Sequence, residues 1–145
     1  MPFVEIEIEE SVSTPETRKE MSDAIHRAMV EVLEIPEDDR YHVFHLLPEG
    51  CMFHDSVAFD RPRTSKLMLV TFSFNARPPE LKDRLFRVVV ERLGIVGVGE
   101  DDLALRVIEP AAPNWWVSGR VVDPLTGFDE RMKDSAARQT PKKGT

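Results

Sequence analysis

The chain is short of several things, and each shortage removes a class of function. It holds one cysteine, Cys51, so no internal disulfide can form, and CxxC zinc spacing is absent. No apolar run approaches the length of a membrane span. Basic charge is outnumbered: 19 Lys and Arg against 26 Asp and Glu leave a net charge of -7. Phosphate backbones require a basic surface, so a wide nucleic-acid footprint is not expected. The start, Met1-Pro2-Phe3-Val4-Glu5, has neither a basic region nor an apolar targeting core. These absences point to a soluble cytoplasmic protein without nucleic-acid or membrane partners.

What is present is ordinary globular material, 145 residues with 41% hydrophobic and 31% charged, enough for one domain with a real core. Val4, Ile6 and Ile8 alternate with Glu5, Glu7 and Glu9, the period of a strand with one buried face. A strand that begins at the second residue pins the terminus to a sheet. Thr14-Pro15-Glu16 then opens a helix with a capping hydroxyl, a proline fit for the first turn and an acid at the positive end of the dipole. Met21, Ala24, Ile25, Ala28, Met29, Val32 and Leu33 form its apolar stripe, and Pro36 ends it. A second strand covers 41–47. After an irregular connection over 48–66 the pattern repeats. The repeat has a strand at 67–74, a helix opened by Pro78-Pro79-Glu80, a turn at 94–99 and a strand at 103–108.

The chain therefore reads as an α+β domain of two consecutive β-α-β units, about 2–47 and 67–109, each joining parallel strands through a crossover helix. Single-sided stripes put both helices on one face of one four-stranded sheet. The other face, with Phe3, Tyr41, Val43 and His45, needs a cover, and self-association is the expected one. An arm over 110–128 completes the domain at 1–128, and 129–145 is a polar tail. His42 and His45 are three apart on a strand and should face opposite sides, which argues against a shared metal site. His26 is expected at the edge of the helix stripe.

Three stretches carry a family resemblance: Pro2 at the start of the first strand; residues 23–41, which include His26-Arg27-Ala28 and Asp38-Asp39-Arg40-Tyr41; and Asn75-Ala76-Arg77 with Glu80 and Lys82 after it. Trp115 is a weaker fourth. Together with the duplicated architecture they resemble the tautomerase superfamily (tautomerase or MIF-like), in particular its malonate-semialdehyde-decarboxylase branch. The resemblance implies a trimer that works without cofactor or metal on a small carboxylate substrate. It implies that Pro2, freed by removal of Met1, is the acid/base residue and that Asp39 is the carboxylate working beside it. It implies that Arg77 is the second arginine of a substrate clamp, with Asn75 in place of the first, and that Trp115 lines the substrate site. The stretch Asn114-Trp115-Trp116-Val117-Ser118-Gly119 departs from the decarboxylase pattern. The longer tail is more similar to the cis-3-chloroacrylic acid dehalogenase group.

The chemistry agrees with these residue types. An N-terminal proline is a secondary amine with a pKa of about 8. Burial or a nearby cation such as Arg77 lowers it and makes a general base for keto–enol transfer. A nearby Asp39 favours prolinium, a general acid suited to decarboxylation or hydration. Asp39 also fits a solvated turn, and Arg77 a surface charge at a helix start, where it is poorly placed unless an anion binds there. Arg61, Arg63 and Lys66 are candidates for the missing clamp arginine. The alternative to an enzyme is a non-catalytic binding or signalling protein on the same fold.

Overall fold

A computed structural model describes residues 2–121. The arm beyond Val121 and the tail at 129–145 lie outside the described residues.

Strand β1 (Phe3–Glu9) leads through a short 3-10 turn into helix α1 (Pro15–Leu33) and strand β2 (Tyr41–Leu47). The connection that follows holds two-residue strands β3 (Val57–Ala58) and β4 (Arg61–Pro62). Then come strand β5 (Met68–Ser73), helix α2 (Pro79–Ile95) and strand β6 (Leu103–Ile108). Two further short strands, β7 (Trp116–Val117) and β8 (Arg120–Val121), close the described chain.

The main sheet has the order β2-β1-β5-β6. β1 runs parallel to β2 and β5 parallel to β6, while the central pair β1 and β5 is antiparallel. These are the two expected β-α-β units, joined side by side.

The alternation in β1 does what its pattern predicts. Val4, Ile6 and Ile8 are sealed in the core, with Ile25 and Met29 of α1, Phe72 of β5 and Leu85 of α2 in the same cluster. Every residue of the predicted α1 stripe is buried. Thr14 caps α1 by accepting from the Thr17 N–H, and the Thr17 hydroxyl accepts from the Thr14 N–H in return. α1 ends through Glu34 in the left-handed region, φ 55°, two residues before Pro36.

Three details differ from expectation. The 48–66 connection is not wholly irregular: β3 and β4 pair as a hairpin turned by Phe59 and Asp60, both at positive φ. α2 runs through Gly94 to Ile95, so the turn after it begins later than expected. His26 is not a boundary residue; at 4% exposure it is buried. Its place one residue after Ile25 and two before Ala28 directs it under the start of β2 rather than out to solvent.

The helix-free sheet face carries Phe3, Tyr41, Val43 and Ile108, all substantially exposed. His45 lies on this face and meets Glu5 at 3.1 Å, whereas His42 faces α1 and bonds Ser22, so the two histidines diverge as expected. Among the described residues no helix is long and apolar enough to cross a membrane.

Candidate active site

The strand register decides what surrounds the start of β1. Phe3 is paired with Tyr41 on one side and with Ser73 on the other. Pro2, one residue earlier, therefore lies between the segment 39–40 entering β2 and the segment 74–75 leaving β5. The β5–β6 pairing adds the end of β6, because Ser73 lies opposite Ile108 and the Phe74 N–H donates to the Ile108 carbonyl at 3.1 Å. Two strand starts and two strand ends thus meet at one end of the sheet. Pro2, Asp39, Asn75 and Arg77 all belong to that end, and Pro2 is buried there.

Asp39 is partly buried, and loss of solvent pushes its carboxyl above the usual carboxylate range. The charge of the chain's amino terminus is the largest influence in the opposite direction, followed by its hydrogen bond to the carboxyl. Asp38 adds to the rise, and His26 opposes it. Arg40, the next residue, is committed elsewhere: its Nη1 donates to Asp23 Oδ1 at 2.6 Å. Asp23 also takes Lys19 Nζ at 2.7 Å, and the Lys19 and Arg40 hydrogen bonds hold its pKa at about 2.

Arg77 lies in the loop before α2, half-buried. Its Nη1 donates to the carbonyls of Asn75 at 3.0 Å and Ala76 at 3.1 Å, which folds the guanidinium back over its own loop. The difficulty of a cation at a positive helix end is answered by Glu109. Its carboxylate accepts from the Arg77 backbone N–H at 2.7 Å and from Lys82 Nζ at 2.5 Å. These bonds, Lys82 first and the Arg77 N–H second, hold the Glu109 carboxyl below its ordinary value. An anion does occupy the start of α2, and it is the chain's own. Sequence reasoning missed Glu109. The signal was its position directly after β6, matching 75–77 after the parallel β5.

Trp115 is 6% exposed and stands edge-on to Phe3, ring centres 5.1 Å apart, while Phe3 meets Tyr41 at 5.1 Å. This places Trp115 in an aromatic row beside Pro2, on the side of Phe3. Its indole N–H has no hydrogen-bond partner among the described residues. Val117, in the stretch that departs from the decarboxylase pattern, is buried.

The candidates for a replacement clamp arginine do not reach this site within the chain. Arg61 binds Glu100 and Asp101 at 2.8 Å each, beside the start of β6. Lys66 stands just before β5, which is antiparallel to β1, so its beginning is at the far end of the sheet. No group of three or more His, Cys, Asp or Glu suited to a metal occurs among the described residues.

Known proteins resemble this chain in sequence and in fold. Two family models, both of tautomerase enzymes, match the chain, one over residues 39–118 and the other over residues 2–58. The probable tautomerase YrdN of Bacillus subtilis (strain 168) is 30% identical over 98 residues, 67% of this chain and 76% of that protein. The chain belongs to the tautomerase superfamily. Among solved structures, FG41 malonate semialdehyde decarboxylase inhibited by 3-bromopropiolate is 25% identical, with a TM-score of 0.74 over 80% of this chain and 88% of that one. A fused 4-OT wild-type symmetric trimer shares the fold alone, at 15% identity and a TM-score of 0.68, over 83% of this chain and 94% of that one.

Proposed function

We propose that this protein is a cofactor-independent enzyme whose acid/base group is the amine of Pro2, acting on a small oxo or unsaturated carboxylate. The observation that carries this is the strand register, which sets the buried Pro2 between the segment 39–40, with the partly buried Asp39, and the segment 74–75, at the sheet end that also holds Arg77. Removal of Met1 leaves Pro2 with a basic secondary amine, whereas retained Met1 leaves it an amide with no basic lone pair.

A carboxylate beside that amine stabilises its charged form. The reading favoured is therefore a prolinium that works as a general acid. With a 3-oxo acid as substrate, Arg77 swings from its own loop carbonyls onto the substrate carboxylate, and prolinium donates to the 3-oxo oxygen. The carbon–carbon bond to the carboxylate then breaks. Its electron pair flows into an enolate hydrogen-bonded to prolinium, carbon dioxide leaves, prolinium gives its proton to the carbon, and the neutral amine is reprotonated from water. In hydration, Asp39 accepts a proton from the attacking water. The similarity to a malonate semialdehyde decarboxylase supports this reading. The likeness to the probable tautomerase YrdN favours a second one, in which a neutral Pro2 moves a proton between carbon and oxygen of an enol.

The exposed Phe3, Tyr41, Val43 and Ile108 favour a homotrimer with this face turned inward, about 50 kDa from a 16.5 kDa chain. A stable monomer at micromolar concentration in sedimentation would contradict it. The exposed free Cys51 suits a reducing, cytoplasmic setting.

The test combines intact-mass analysis with kinetics on malonate semialdehyde and on phenylenolpyruvate. Met1 should be absent, and Pro2→Ala should cut kcat about 100-fold or more. A general acid gives a rate that falls as pH rises through the Pro2 pKa; a general base gives the mirror limb. Full activity with Met1 retained removes the mechanism.

A further inference from the structure

A carboxylate that acts on a neighbouring amine needs more than its own short loop to hold it. Asp39 belongs to the junction 34–40 between α1 and β2. The junction's own turn is local, with the Asp39 N–H donating to the Pro36 carbonyl at 3.1 Å. Two side chains of α1 reach the junction from outside. Asp23 and His26 are three residues apart and hence on one helix face. Asp23 accepts from Arg40 at 2.6 Å, and His26 Nε2 meets the Glu37 carbonyl at 2.7 Å. A carbonyl only accepts, so Nε2 carries the proton and donates. The two tethers bracket Asp39, one two residues before it and one directly after it.

They are not equivalent. The Asp23–Arg40 pair is partly exposed, open to water and to screening by salt. His26 is buried, so its bond is formed in low dielectric without competition from solvent. Its ring is also held from a second side: His42 of β2 stands edge-on at 5.9 Å and 73°, and His42 Nδ1 shares a 2.8 Å hydrogen bond with Ser22. The imidazole is thus fixed by helix and strand together, and it passes that fixity to the junction backbone.

We propose that His26 is the positioning residue of Asp39: by holding the Glu37 carbonyl to α1, it sets where the Asp39 carboxylate stands relative to the amine of Pro2. The inference rests on the Pro2–Asp39 reading above. His26 does not touch the reacting atoms in this scheme. Its influence on the amine passes through Asp39, whose Coulombic hold weakens with distance.

Two readouts test it: the Pro2 amine pKa, followed by NMR in 15N-proline-labelled protein, and kcat and KM on malonate semialdehyde. His26→Phe keeps a ring of similar shape but loses the donor. It should lower kcat about 10-fold or more with KM little changed. It should also shift the Pro2 pKa in the same direction as Asp39→Asn. Added to Asp39→Asn, it should have no further effect, because both act through one carboxylate. His26→Gln restores an N–H donor and should recover most of the loss. Additive effects, or a Pro2 pKa moved by Asp39→Asn but not by His26→Phe, overturn the role of His26 and leave the Pro2–Asp39 pair standing. A Pro2 pKa unmoved by Asp39→Asn instead removes that pair, and this inference with it. Should the Phe variant fail to fold, His26→Gln decides. A folded Gln variant with the parent's Tm must keep the parent's Pro2 pKa, and a displaced value overturns the proposal.

Discussion

The two β-α-β units share an architecture and differ in what they do with the acid before their second strand. In the first unit Asp39 lies just before β2, and the β1–β2 register sets its segment beside Pro2. In the second unit Asp101 and Asp102 lie just before β6, and protein side chains answer both. Arg61 takes Glu100 and Asp101, while Asp102 accepts from the Thr64 N–H and hydroxyl at 2.7 Å each. The place of Pro2, just before the first strand of the unit, is taken in the second by Leu67, whose nitrogen is a mid-chain amide. That end of the sheet also has a cleft of about 150 Å³, lined by Ile8, Met21, Lys66, Met68 and Asp102 among others. An acid just before the second strand is therefore common to both ends. The difference lies in what precedes the first strand: Pro2, a free amine once Met1 is removed, against the mid-chain Leu67.

This contrast can be broken most severely at the amine. A variant that retains an extra residue before Pro2 should lose activity by about 1000-fold, since an amide neither donates nor accepts the catalytic proton. Intact mass and kcat together check it. Arg77→Ala should remove roughly 2–4 kcal/mol of transition-state stabilisation, read as kcat/KM. Arg61→Ala, the cation of the other end, should leave kcat/KM unchanged.

Acid should weaken the first unit in particular. Burial, with His26 and Arg40 adding to it, depresses the His42 pKa from 6.5 to about 4. A depressed histidine favours the folded state above its unfolded pKa, and that contribution is lost as pH falls from 6.5 towards 4. Urea denaturation should therefore show roughly 2 kcal/mol less stability at pH 5 than at pH 6.5 from this group. His42→Phe should flatten that slope.

The two acids give the smallest and most discriminating effects. Asp102→Ala should cost about 1 kcal/mol of stability through its lost hydrogen bonds and spare activity. Asp39→Asn should do the reverse. Its folded pKa is raised, so the carboxyl's contribution to stability is greatest below its unfolded pKa and is lost as pH rises through the folded one. At neutral pH the Asn variant should thus match or exceed the parent Tm, while losing decarboxylase or hydratase activity. A lowered Tm with unchanged rates would make Asp39 a structural turn acid.

The sequence by itself determined the elements, because each rests on local periodicity and local caps. The alternation in 4–8, the stripe from Met21 to Leu33, and the Thr14-Pro15 and Pro78-Pro79 starts all describe contacts that repeat every two or every three to four residues. It also named Pro2, Asp39, Asn75 and Arg77, through family resemblance rather than through any pattern that joins them. Their meeting was not legible, since Pro2 and Asp39 are 37 positions apart and Pro2 and Arg77 are 75 apart. The parallel pairing of β1 with β2 brings Asp39 to Pro2, and the antiparallel pairing of β1 with β5 brings Arg77 to the same end and sends Lys66 to the other. The tertiary structure likewise decided that Glu109 neutralises the start of α2 and that His26 is buried against the Glu37 carbonyl. Neither is a property of the residue's own neighbourhood in the chain: each depends on a partner that strand register and helix packing deliver across the fold.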